Sequence, residues 1–150
     1  MEMFSKSTEN KFNDLLEKAY DAEKGFRKAA KNVDSATLKN FFTQKALERE
    51  GFKNELRNEL LANGLKIKED SGSATGFLHR AWMDTKALFS TDDDKSMLQE
   101  VRNGEKAALE DYEDLLEDTS LPASTVNILR KQRNVIESSY NRADYFEKIK

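Results

Sequence analysis

This chain has no cysteine and only one proline, one histidine and one tryptophan among its 150 residues, with six glycines. Without thiols it can form neither disulfides nor thiolate metal sites. With His79 as the only imidazole, no credible Ser-His-Asp or Cys-His set can be assembled. Gly72 and Gly76 lie in the stretch SGSATG, which lacks the preceding strand and the following lysine of a phosphate-binding loop. No stretch approaches the ~18 apolar residues of a membrane span, and the opening MEMFSKSTENKF lacks the apolar centre of a signal peptide. A cytoplasmic protein that does not enter membranes is expected. Neither sign of charge dominates: 25 basic and 28 acidic side chains leave a net −3. No basic face accumulates, so no nucleic-acid partner is expected.

What is abundant is apolar and charged side chains, 37% and 35%, the mixture that amphipathic helices require. Residues 1–6 are expected to fray, with Ser7 capping a first helix that runs to about residue 33. Phe12, Leu15, Leu16, Ala19, Phe26, Ala30 and Val33 share one face of it, and Glu23 falls inside that face. Asp34 and Ser35 make a short break. A second helix follows over about 36–63, ended by Gly64. Leu38, Phe41, Phe42, Phe52, Leu56 and Leu60 point one way along it, interleaved with Lys45 and Arg49. Lysine can lift its ammonium out along its stem, whereas Arg49, nearer the middle, has farther to go.

Thr91 and the run Asp92, Asp93, Asp94 read as a helix start rather than a calcium loop, because the alternating oxygen ligands and the closing glutamate are missing. The third helix covers about 94–118, with Leu98, Val101, Ala108, Tyr112 and Leu115 inward and Glu105 in the middle of that face. Pro122 suits the first turn of a fourth helix. There Val126, Leu129, Ile136, Tyr140 and Ala143 lie on one side with Arg133 among them, while Ile128, Val135 and Phe146 form a second stripe.

Between the two hairpins, Ala74, Leu78, Ala81, Trp82, Thr85, Leu88 and Phe89 recur at helical spacing. They predict a short crossover helix anchored by Trp82, with His79 at its rim. The reading is one all-α domain over 1–150: a ferritin-like four-helix bundle with hairpins at about 8–64 and 94–149, and a crossover at about 65–93. A long crossover lets the second and third helices run parallel. An up-down-up-down bundle is the competing topology.

Several stretches resemble a bacterial family of uncharacterised ferritin-like four-helix-bundle proteins, a domain of unknown function. They are Asp70-Ser71-Gly72-Ser73, His79-Arg80-Ala81-Trp82, Gly104-Glu105-Lys106-Ala107-Ala108 with Tyr112, Glu23-Lys24-Gly25-Phe26-Arg27, and Arg49 with Phe52. The resemblance runs from about residue 9 to residue 147. It implies a bacterial cytosolic protein without a known cofactor and assigns no activity; a non-enzymatic structural or protein-interaction role is the reading of the chain, with a link to stress by family analogy alone.

Ferritin-like bundles place carboxylates and Glu-x-x-His pairs in the core to hold two metal ions. Glu23, Glu48, Glu105 and Glu137 offer one carboxylate per helix. The histidines are missing: Gly51 follows Glu48 by three residues, and Tyr140 follows Glu137. Arg49 points inward instead of Glu48, and Arg133 lies nearer the core than Glu137. The expectation is a polar core cluster of Glu23, Arg49 and Glu105, with Tyr112 and Tyr140 supplying hydroxyls and Lys45 as a rival partner for Glu23. No metal and no cofactor are expected. The alternative is a carboxylate metal-binding, di-iron-like protein or oxidoreductase. Ile128, Val135 and Phe146 must be covered by the crossover, by a second copy in a homodimer, or by an unidentified protein partner.

Overall fold

The computed structural model describes residues 4–65, 67 and 94–149. The crossover helix expected around His79 and Trp82 lies outside the described residues. Within them the regular elements are α1 (Lys6–Asn32), α2 (Ala36–Ala62), α3 (Asp94–Leu116) and α4 (Ala123–Ile149), an all-α four-helix bundle.

Helix ends follow local chemistry. α1 starts one residue after Ser5, whose Oγ accepts the Thr8 N–H at 3.0 Å, so Ser5 and not Ser7 is the cap. The reason lies one residue earlier. Phe4 is buried against Phe12, with ring centroids 5.6 Å apart, and this fixes a start that periodicity alone reads as frayed. Ser35 caps α2 by accepting the Leu38 N–H. α2 ends on Gly64 at φ 73°, with Gly64 N–H donating to the Leu61 carbonyl and Leu65 N–H to that of Leu60, both at 3.0 Å. This paired closure needs a left-handed residue, which glycine adopts without a Cβ penalty. α4 opens with the Pro122 carbonyl accepting the Val126 N–H.

Side-chain pairs fix the helix directions. Thr8 meets Asp118, Lys11 meets Asp114 and Lys18 meets Asp111, so α1 and α3 run antiparallel. Glu59 meets Thr125, Glu55 meets Lys131 and Phe41 meets Phe146, so α2 and α4 are antiparallel as well. The short Val33–Ser35 connection makes α1 and α2 antiparallel. α2 and α3 are therefore parallel and diagonal to each other, the order that a long crossover produces.

The apolar interior is two clusters. One gathers Phe12, Leu16, Phe52, Leu56, Tyr112, Leu129 and Ile136 around the end where α1 and α4 begin. The other gathers Phe26, Phe41, Phe42, Met97, Leu98 and Ala143 around the opposite end. Each buries rings and branched chains at roughly 1.5–3 kcal/mol apiece. The interval between them is polar.

α4 is turned from its expected face. Its buried residues are Thr125, Leu129, Gln132, Ile136, Ser139 and Ala143, while Val126, Arg133 and Tyr140 sit at the edge. At 100° per residue the inward face is rotated by roughly 50°. Thr125, Gln132 and Ser139 recur every seven residues and look outward by composition, but the first two are buried because partners wait for them. The second stripe changes meaning in consequence. Val135 packs beside the first cluster, and Phe146 packs on the second with its ring 5.3 Å from Phe41. Ile128 is half-buried.

Candidate functional site

In the interval between the two clusters each helix contributes a buried polar residue: Asp21 from α1, Arg49 from α2, Glu105 from α3 and Ser139 from α4. Arg49 and Glu105 form an ion pair across the bundle diagonal, with side chains 5% and 3% exposed. The Arg49 guanidinium also lies 5.5 Å from the ring centroids of Phe26 and Phe52, one from each apolar cluster. A planar, weakly hydrated cation tolerates aromatic faces where an ammonium would not. Burying either charge alone would be costly; together they neutralise each other. Arg49 Nη1, Glu105 Oε2 and Ser139 Oγ have no hydrogen-bond partner among the described residues.

Lys45, one turn before Arg49, is only 2% exposed and pairs with Glu48. Its ammonium does not climb out to water as its stem would permit. Burial pulls its pKa below that of a free lysine, and Glu48 and Glu105 only partly offset this.

The remaining expected members sit elsewhere. Glu23 is half-buried at the α1–α2 edge, held by Lys53 at 2.8 Å and Arg27 at 2.8 Å, with no contact to Arg49. Burial works to raise its pKa, and those two cations outweigh it and hold the carboxyl below its usual range. Arg49 could not serve Glu23, because Lys53 occupies the same face of α2 nearer the surface. Tyr112 is buried beside the layer and donates its hydroxyl to Gln132 Oε1 at 2.6 Å; burial drives its pKa well above that of a free tyrosine. Tyr140 lies at the rim under the Arg102 guanidinium, 5.5 Å from its ring. Arg133 and Glu137 pair with each other at the surface, and Arg133 also holds Glu113 at 2.8 Å. Of the five cluster residues, Arg49 and Glu105 pair, and Tyr112 is buried nearby with its hydroxyl on Gln132; Glu23 and Tyr140 lie at the edges.

Sequence reasoning missed a second polar group, the contact of α4 with α2. Glu59 is buried and accepts hydroxyls from Ser124, at 3.0 Å, and Thr125 in the first turn of α4. An anion there also faces the positive end of the helix dipole. Two turns on, the Gln132 side-chain amide donates to Glu55 at 2.9 Å while accepting from Tyr112. The signal was available: Glu55 and Glu59 are one turn apart on α2, and Thr125 and Gln132 share a seven-residue column on α4.

The chemistry open to this layer is limited. A carboxylate-bridged metal pair needs converging oxygen and imidazole donors. Here α2 offers the cations Arg49 and Lys45, which pair with Glu105 and Glu48, and α4 offers only the hydroxyl of Ser139. Among the described residues no group of three or more His, Cys, Asp or Glu is placed to hold a metal ion. The residues present do not fit such a pair. A cavity of about 60 Å³ opens between α1 and α3, lined by Lys11, Asp14, Leu15, Lys18, Asp111 and Asp114. That is far below the several hundred Å³ of a substrate cleft. No helix among the described residues is long and apolar enough to cross a membrane.

Fold and layer together define a helical bundle whose centre is closed by an internal ion pair. Residues 7–118 match the family model described as "Domain of unknown function (DUF2383)", more than half of the chain, and the chain belongs to that family. The match ends in the turn after α3, short of the span to residue 147 that the motifs suggest. No curated protein is similar enough to the chain to count as a relative.

Proposed function

We propose that this protein is a non-enzymatic, ferritin-like bundle of the bacterial cytoplasm with a structural or protein-interaction role. The Arg49–Glu105 pair supports this reading, because it fills the mid-bundle position where ferritin-like folds hold metal. A cation that cannot lose its proton takes the part of the metal charge. Catalysis would need a cleft and a reactive group open to it. The Arg49 guanidinium is instead buried beside the Phe26 and Phe52 rings, and Glu105 is buried against it.

The test is metal analysis of protein purified without chelator, followed by iron titration under anaerobic conditions. No stoichiometric iron is expected to bind. Two iron ions per chain, with the ultraviolet absorption of an oxo-bridged pair on exposure to air, would overturn the reading in favour of an oxidoreductase.

A further inference from the structure

The side of α2 opposite its core face is unlike the rest of the surface. Six of the eight exposed residues of α1 are charged, whereas on α2 only Lys39 is charged among twelve. Asn40, Gln44, Leu47, Gly51, Asn54, Asn58 and Leu61 lie along this ridge at alternating steps of four and three, the spacing of a coiled-coil seam. Leu47 and Leu61 are 49% and 54% exposed. A Cβ added at Gly51 would meet nothing within 4 Å, so a hollow lies open in the middle of the ridge.

We propose that this ridge is the surface on which a second copy of the chain packs, α2 against α2 and antiparallel. The proposal rests on the interaction role above and names the partner. The argument is charge and shape. A twofold contact sets a patch against itself, so a patch of one sign repels its mate; this ridge has no charge to repel. Its amides both donate and accept, and so complement their own kind. With the twofold beside residue 49, Leu47 of each copy enters the hollow over Gly51 of the other. Gln44 then faces Asn54, and Asn40 faces Asn58. Glu48 and Glu50 flank the ridge at the twofold, and each is already paired within its own chain, Glu48 with Lys45 and Glu50 with Arg27 at 3.3 Å. The seam is about 32 Å long at 1.5 Å per residue, a single helix pair at the small end of specific interfaces. The dimer should therefore form and dissociate across the micromolar range.

Sedimentation equilibrium of the full chain from low micromolar to submillimolar concentration tests this. The wild type should pass from monomer to dimer. Leu47→Lys and Gly51→Gln should each remain monomeric with unchanged helix content, while Tyr145→Ser, on exposed α4 surface, should dimerise as the wild type does. The absence of native cysteine allows a register test. The double variant Q44C/N54C should form a disulfide-linked dimer on oxidation, and Q44C alone should not. Its two sites are about 15 Å apart within one helix, beyond the ~7 Å that an internal bridge can span. A wild-type monomer at every concentration overturns the proposal, as does a dimer indifferent to Leu47→Lys. A monomer whose melting temperature falls sharply on Leu47→Lys also overturns it, because the ridge is then covered from within the chain. Iron binding without loss of the dimer would instead sink the non-enzymatic reading alone.

Discussion

Arg49 on α2 and Glu105 on α3 meet across the diagonal of the bundle, on helices that run parallel and both pack on α1 and α4 rather than on each other. The two members of the pair differ in one respect. Glu105 can shed its charge by taking a proton, but a guanidinium cannot lose one at any accessible pH. Both side chains are buried between the two apolar clusters, 5% and 3% exposed.

Lys45 is the buried cation that the layer needs least. Its partner Glu48 is 31% exposed and can be solvated once alone. Lys45→Met keeps the stem and removes the ammonium, so urea unfolding should show stability unchanged or raised by about 1 kcal/mol. The pH dependence carries the same information. With its folded pKa below 10.5, the unfolded chain holds the lysine proton more tightly. Stability should then rise with pH between the lowered pKa and 10.5 and level off above it. Lys45→Met should lose that rise.

Glu59 joins α2 to the start of α4 through two hydroxyls. Glu59→Gln keeps the shape but removes the charge and one acceptor oxygen. A loss of about 1–2 kcal/mol in urea unfolding is expected. Hydrogen exchange should rise first in the amides of 123–127. A uniform change along all helices would mean that Glu59 does not hold this end.

Glu23 sets the acid limit at the α1–α2 edge. Its folded pKa lies below 4.5, so its contribution is complete above 4.5 and is lost as pH falls through the lowered value. Thermal unfolding followed from pH 7 downward should show a decline below that point, and Glu23→Gln should flatten it. An unchanged acid limb in the variant would show that Lys53 and Arg27 do not stabilise the carboxylate.

The helices were legible because their apolar stripes keep one period over more than twenty residues, and because Ser35 and Gly64 carry cap chemistry that is local in sequence. Arg49 and Glu105 were legible as charges inside those stripes. The placement of Glu23 was not, because it depends on Lys53, thirty residues away on a neighbouring helix. The α4 face was misread for a related reason. Thr125 and Gln132 are buried only because Glu59, Glu55 and Tyr112 meet them from other helices, and composition ranks them as surface residues. Ser5 as the cap followed from Phe4, one aromatic ring whose burial no periodicity records.

The most direct test of the closed ion pair is a double-mutant cycle by urea unfolding with Glu105→Gln, Arg49→Met and the combination. Glu105→Gln leaves a permanent buried cation and should cost about 3–5 kcal/mol. Arg49→Met should cost less, because Glu105 can take up a proton. The double variant should recover most of the loss, giving a coupling of at least 2 kcal/mol, within the range of residues in direct contact. Losses that simply add, with no recovery in the double variant, would show that the two charges do not meet in the folded protein.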